Sequence, residues 1–180
     1  MESQNYLVVG GSSGIGLEIV KILLSQNNTV FVGSRSSDTL SGMDGLHYLA
    51  VNVEADTLNF EGLPEFLNGL VYCPGTIRLK PFHRLSIDDF EKDLKVNFLG
   101  AVKTIQACLP PLKKSPTGAS IVMLEKRSDS CRLVGESASC LSTFNHNLIR
   151  IPGGGVVGDR VTVRPFDAQV IAREPMHDDL

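Results

Sequence analysis

Tyr6-Leu7-Val8-Val9-Gly10-Gly11-Ser12-Ser13-Gly14-Ile15-Gly16 decides how this chain folds. Tyr6–Val9 is a short, wholly apolar run, the pattern of a strand buried on both faces. Glycines and serines end the run. Ile15, Ile19, Ile22 and Leu23 then recur at helical spacing as far as the polar cluster Gln26-Asn27-Asn28. Strand, glycine turn and helix in that order make a phosphate-holding turn. Gly10 permits the tight turn, Gly14 lets the backbone approach a pyrophosphate, and Gly16 lets the helix sit close to the sheet. Free amides at the helix start face the phosphates with the positive end of the helix dipole behind them, and the hydroxyls of Ser12 and Ser13 add donors.

Outward from this stretch the pattern repeats. Thr29–Val32 reads as a second strand closed by Gly33-Ser34, His47–Val51 as a third, Leu70–Tyr72 as a fourth stopped by Pro74-Gly75, and Ser120–Leu124 as a fifth. Between the last two lies a long helical stripe: Phe90, Leu94, Phe98, Val102, Ile105 and Leu109. Asp88, Asp89 and Glu91 near its start and Lys113-Lys114 after its end suit the helix dipole, and Pro110-Pro111 should stop it. Strands alternating with helices predict an α/β fold, a doubly wound parallel sheet ordered 3-2-1-4-5 with right-handed crossovers. Past Leu124 the text changes. Seven Lys and three Arg precede that boundary, and one Lys and six Arg follow it. Helical periodicity is lost there, Val161–Arg164 alternates like a half-exposed strand, and Glu174–Leu180 reads as a frayed tail. We expect a Rossmann-like dinucleotide-binding domain over 1–124 and an atypical, poorly packed segment over 125–180.

Composition narrows the function. The chain has 180 residues, 42% apolar and 21% charged, enough to bury a core of its own. A net charge of −3, no Trp and three Tyr argue against nucleic-acid binding and anionic-membrane binding. No apolar run is long enough to span a bilayer. Cys73, Cys108, Cys131 and Cys140 form no Cys-x-x-Cys pair, and Met1–Gln4 shows no secretory leader pattern. Reduced thiols and a cytoplasmic location are expected. His47, His83, His146 and His177 are too scattered for a metal site.

Val9-Gly10-Gly11-Ser12-Ser13-Gly14-Ile15-Gly16 resembles the opening of the short-chain dehydrogenase/reductase family, Thr-Gly-x-x-x-Gly-x-Gly, with Val9 in place of Thr. Asn52-Val53 stands where that family has Asp-Val against the adenine. Cys73-Pro74-Gly75 stands where it has Asn-Ala-Gly, keeping only the glycine. Val96-Asn97-Phe98-Leu99-Gly100 matches Val-Asn-x-x-Gly, whose asparagine belongs to the family's catalytic group. The resemblance covers Met1–Leu124. It implies a dinucleotide site over Gly10, Ser12, Ser13, Gly14, Ile15, Gly16, Asn52, Val53, Cys73, Pro74 and Gly75, a catalytic role for Asn97, and hydride transfer on a small-molecule carbonyl or alcohol substrate. A homo-oligomer stays open. The family's Tyr-x-x-x-Lys is missing: no tyrosine follows Tyr72, and Gly10, Asn52 and Thr76 stand four residues after Tyr6, Tyr48 and Tyr72. Ser128 and Ser130 lie near the family's serine position with no tyrosine after them.

The end of the second strand selects the cofactor. A carboxylate there would bond a ribose 2′-hydroxyl, but this chain has Ser34-Arg35-Ser36-Ser37. Arg35 can fork onto a 2′-phosphate and the serines can donate to it. The charge logic favours NADP over NAD. Lys80, His83 and Arg84, and likewise Glu125, Lys126, Arg127, Asp129 and Arg132, read as solvated surface charge. Gly153-x-Gly155-x-x-Gly158 leads into a strand-like run and reads as a plain loop. The functional expectation is an oxidoreductase of the short-chain type with impaired turnover. The alternatives are a non-catalytic nucleotide-binding protein, or a frame-shifted or spliced product of such an enzyme.

Overall fold

The computed structural model describes residues 3–76, 78 and 80–124, with the backbone of 147–151 and 162–165. The strands are β1 (Asn5–Val9), β2 (Thr29–Ser34), β3 (Leu46–Ala50), β4 (Gly69–Tyr72), β5 (Ala119–Met123), β6 (Asn147–Ile151) and β7 (Thr162–Pro165). The helices are α1 (Gly14–Ser25), α2 (Ile87–Leu94) and α3 (Gly100–Lys113). A π-helical turn, Lys95–Leu99, joins α2 to α3. The sheet order is β3-β2-β1-β4-β5-β6-β7. The first five strands are parallel, with Leu7 opposite Phe31 on one side and Leu70 on the other. This is the Rossmann-like doubly wound sheet that the alternation of elements predicts. Beyond β5, β6 and β7 add two antiparallel strands. The strand expected over Val161–Arg164 corresponds to β7.

Alternate residues of the strands feed two cores. Val8, Val30 and Val32 face α1, where they meet Val20 and Leu40. Leu7, Val9, Phe31, Leu70, Tyr72 and Ile121 face α3 with Ala101, Cys108 and Leu112. The period-2 strand pattern thus supplies both layers from one set of strands.

Five expectations need correction. Pro110 and Pro111 do not stop the helix but lie inside α3, which runs on to Lys113. Their fixed φ suits a helix, and the Pro111 carbonyl is used by the Leu67 amide at 3.0 Å. Strand β2 is not closed at Gly33-Ser34 but runs through both. Neither β2–β3 nor β3–β4 is bridged by a helix. Leu58, Phe60 and Leu63 of the β3–β4 connection pack on the core instead. In α1, Ile15 and Ile22 are exposed, and the inward face is Gly16 and Val20 flanked by Leu17, Ile19 and Leu23. In the long helix, Leu94 is 40% exposed, and the buried positions are Val96, Gly100, Ala101, Thr104, Cys108 and Leu112. The π turn shifts the helical phase, and small residues then bring α3 close to the sheet.

The expectations for Cys131, Cys140, Ser128, Ser130, the charged run from Glu125 to Arg132, Gly153–Gly158 and the tail lie outside the described residues. No helix among the described residues is long and apolar enough to cross a membrane. Among the same residues, no cluster of three His, Cys, Asp or Glu side chains could hold a metal ion.

Candidate functional site

At the carboxyl end of β1 the chain turns through Gly10, whose φ of +80° favours glycine. Its amide donates to the Gly33 carbonyl at 2.7 Å, tying the turn to β2. Gly14 opens α1 at φ +54° with nothing within 4 Å of the place a Cβ would take. At Gly16 a Cβ would stand 2.3 Å from the Gly10 carbonyl oxygen, so only glycine lets α1 start this close to the strand. Ser13 is the N-cap of α1, yet its side chain makes no capping bond. The hydroxyl is therefore available to a ligand, beside the amides at the helix start. Ser12 is half-buried, and its carbonyl accepts the Thr39 hydroxyl at 2.5 Å. Ile15 lies at the same opening, 69% exposed.

The end of β2 stands beside this turn. Ser34 is buried; its hydroxyl donates to the Ser36 carbonyl at 2.6 Å, and its own carbonyl accepts the Tyr48 hydroxyl at 3.0 Å. Arg35 is exposed and has no ion-pair or hydrogen-bond partner among the described residues. An exposed guanidinium is suited to an anion. After β3, the Asn52 side chain accepts from the Glu54 amide at 3.1 Å and shapes a turn. Val53 packs where a Cβ on Gly100 would stand 3.2 Å from it.

The exit of β4 forms the opposite wall. The Cys73 amide donates to the Val9 carbonyl at 2.9 Å. Pro74 lies against Gly10, 3.1 Å from the Cβ position there, and Gly75 comes next to the Asn97 side chain. The Asn97 carboxamide accepts from the Thr76 amide at 2.7 Å and donates to the Thr76 carbonyl at 2.8 Å. Asn97 sits in the π turn, an irregularity common at functional sites. The structure thus brings Gly10–Gly16, Cys73-Pro74-Gly75 and Asn97 around one cleft end of the sheet. Burial pushes the Cys73 and Cys108 thiols up to about 12, so neither is a nucleophile at neutral pH.

Sequence reasoning missed the polar network behind that wall. The Thr76 hydroxyl donates to Asp93 at 2.8 Å. Arg78 lies 3.4 Å from Asp89 and 3.5 Å from Asp93, and Lys80 lies 3.1 Å from Asp89. Lys80 is therefore not simply a solvated charge. Asp89 also forms a capping box with Ser86. The Ser86 amide first, and Lys80 after it, hold its carboxyl down at about 2. The i, i+4 pair Asp89 and Asp93 was visible in the sequence, but nothing there joined it to Arg78.

A glycine turn between β1 and α1, on a parallel sheet with helices on both faces, defines a dinucleotide-fold protein of the Rossmann type. The family model "short chain dehydrogenase" matches residues 4–126, and the chain belongs to the short-chain dehydrogenase/reductase family. A probable short-chain type dehydrogenase/reductase, VdlC, of Helicobacter pylori is 28% identical over 94% of this chain and 63% of its own length. Benzil reductase ((S)-benzoin forming) of Saccharomyces cerevisiae is 30% identical over 66% of this chain and 52% of its own. The solved Pseudomonas aeruginosa RhlG/NADP active-site complex superposes with a TM-score of 0.62 at 21% identity, over 73% of this chain and 59% of that one. The chain spans less than two thirds of the length of each of these proteins.

Proposed function

We propose that this chain binds NADP(H) in preference to NAD(H), and that it is an oxidoreductase acting on a small-molecule carbonyl or alcohol with impaired turnover. The observation that carries the reading is the contact at Gly16, where a Cβ would lie 2.3 Å from the Gly10 carbonyl oxygen. That closeness serves a helix start pressed onto a phosphate turn. In this reading Gly10 makes the turn, and the amides of residues 11–16 with the hydroxyls of Ser12 and Ser13 hold the pyrophosphate, with Ile15 at its edge. Arg35 takes the 2′-phosphate, and Ser34, its hydroxyl bonded to the Ser36 carbonyl, shapes the turn beneath it; Asn52 and Val53 flank the adenine, and Cys73, Pro74 and Gly75 wall the far half. Asn97 serves the catalytic end by holding the Thr76 backbone. The bound nicotinamide supplies the hydride. The named activities of the relatives are reductions or dehydrogenations, which favours an oxidoreductase over a non-catalytic nucleotide-binding protein or a frame-shifted product. The free thiols Cys73 and Cys108 suit a reducing, cytoplasmic setting. Self-association would cover the exposed apolar Leu94 and Leu99.

Titration of wild type and Arg35→Ala with both cofactors tests the binding. Wild type should prefer NADP(H), and Arg35→Ala should lose about ten- to a hundredfold for it alone. Equal affinities in wild type would remove the role given to Arg35. Against a panel of ketones and aldehydes, turnover should be very weak. A positioned general acid contributes roughly 10²–10⁴-fold, and no Tyr-x-x-x-Lys is present to provide it. Amide exchange tests the domain boundary: slow in β1–β5 and faster across residues 125–180, even where β6 and β7 pair at the edge of the sheet. Uniform protection would make the two segments one domain.

A further inference from the structure

We infer that Tyr72 is a positioning residue for this site: its hydroxyl holds the π turn that carries Asn97, and so sets where the Thr76 backbone stands on the cleft wall. Tyr72 is the last residue of β4 and is 2% exposed. A phenylalanine would fill the same core volume, and burying a hydroxyl costs free energy unless it is bonded. Here the hydroxyl donates to the Val96 carbonyl at 2.6 Å. Val96 lies inside the π turn, where the Gly100 amide bonds to the Lys95 carbonyl and leaves Val96 to another donor. Gly100 makes the bond feasible, because a Cβ there would lie 2.5 Å from the Tyr72 hydroxyl oxygen.

Tyr72, Val96 and Gly100 therefore interlock across two chain segments. The next residue, Asn97, holds both backbone groups of Thr76. One end of the exit segment 72–76 is fixed by the tyrosine hydroxyl and the other by the carboxamide. The phosphate turn meets this segment at Pro74, which lies against Gly10, but the turn has its own tie to β2 through the Gly10 amide and the Gly33 carbonyl, and neither Tyr72 nor Asn97 bonds to it. Losing the hydroxyl should loosen the wall by the exit of β4 and leave the turn at Gly10–Gly16 as it is. The ligand side of this inference rests on the NADP(H) reading above; the interlock itself does not.

The test uses the full chain as wild type, Tyr72→Phe, Gly100→Ala and the double variant. In Tyr72→Phe, exchange of the Thr76 amide should rise about tenfold, while β1 and β2 keep their protection. NADPH affinity should fall about three- to tenfold, while adenosine 2′,5′-bisphosphate, which reaches only the phosphate-turn side, binds unchanged. Gly100→Ala should lower the thermal midpoint more in the wild-type background than in the Tyr72→Phe background, because removing the hydroxyl makes room for the methyl group. Unchanged Thr76 exchange in Tyr72→Phe, an equal rise across all five strands, or equal losses for both ligands would overturn the inference. So would identical effects of Gly100→Ala in the two backgrounds. If wild type binds neither ligand, the NADP(H) reading falls, and Thr76 exchange with the double-variant comparison still decides the role of Tyr72.

Discussion

The two walls of the cleft are built in opposite ways. The wall at the exit of β1 depends on side chains that are absent: Gly10 at positive φ, Gly14 in open space, Gly16 against the Gly10 carbonyl. The wall at the exit of β4 depends on side chains that are present: Asn97 on Thr76, Tyr72 on Val96, and Arg78 between Asp89 and Asp93. Past Gly10, whose amide is bonded to Gly33, the turn leaves amides at the start of α1 to a ligand, whereas the second wall uses most of its polar groups on itself, although the buried Arg78 Nε makes no hydrogen bond. The first wall is suited to binding and the second to holding a shape.

The sharpest way to break this comparison is Gly16→Ala. Its methyl group would meet backbone rather than a flexible side chain, so α1 must move away from β1. We expect a loss of about 1–3 kcal/mol, as for other overpacked sites. Dinucleotide binding should be abolished, as measured by urea unfolding and cofactor titration. Retained binding would show that the turn does not need its close approach.

Asn97→Ala attacks the other wall. It leaves the Thr76 amide and carbonyl without their partner, but Thr76 is exposed and water can replace part of the bond. The expected cost is about 1 kcal/mol, with exchange rising at Thr76 and not at Gly10. A change spread evenly over both walls would merge what the structure separates.

The smallest expected effect is that of acid. Asp89 is held at about 2 by the Ser86 amide and by Lys80. Its folded value lies below the unfolded value of about 3.9. Its contribution is therefore complete above that unfolded value and is lost as pH falls toward about 2. Urea midpoints measured down this range should fall more steeply in wild type than in Asp89→Asn. Parallel curves would mean that the capping box and ion pairs add nothing.

The glycine wall was legible because each glycine marks a conformation or a distance that other residues cannot supply. The strands were legible because runs such as Tyr6–Val9 and Leu70–Tyr72 have no polar residue to bring outside. The second wall was legible only in part: the resemblance marked Cys73, Pro74, Gly75 and Asn97, but not the bonds that join Asn97 to Thr76 or Tyr72 to Val96. Thr76 and Asn97 lie twenty-one residues apart, and nothing in either residue type names its partner. The stripe through Leu94 and Phe98 misled because regular helical spacing assumes an unbroken α-helix, and the π turn at Lys95–Leu99 changes the phase. The proline pair misled for another reason: proline removes an amide and crowds the carbonyl four residues back, yet α3 carries both prolines within its last turn and ends only at Lys113.

The position of β1 has a consequence for the order in which the sheet can be made. Strand β1 is central, paired with β2 on one side and β4 on the other. During synthesis β2 follows it after a short helical crossover, so that edge closes through local contacts. The other edge must wait for Gly69–Tyr72, more than half a hundred residues further along the chain. Until then the backbone groups on one side of Leu7, Val8 and Val9 have only water or a foreign strand to bond. Late closure of a non-local parallel pair is slow and carries an aggregation hazard. For a nascent chain of this design, the dangerous interval begins when Ser34 emerges and ends when Tyr72 does.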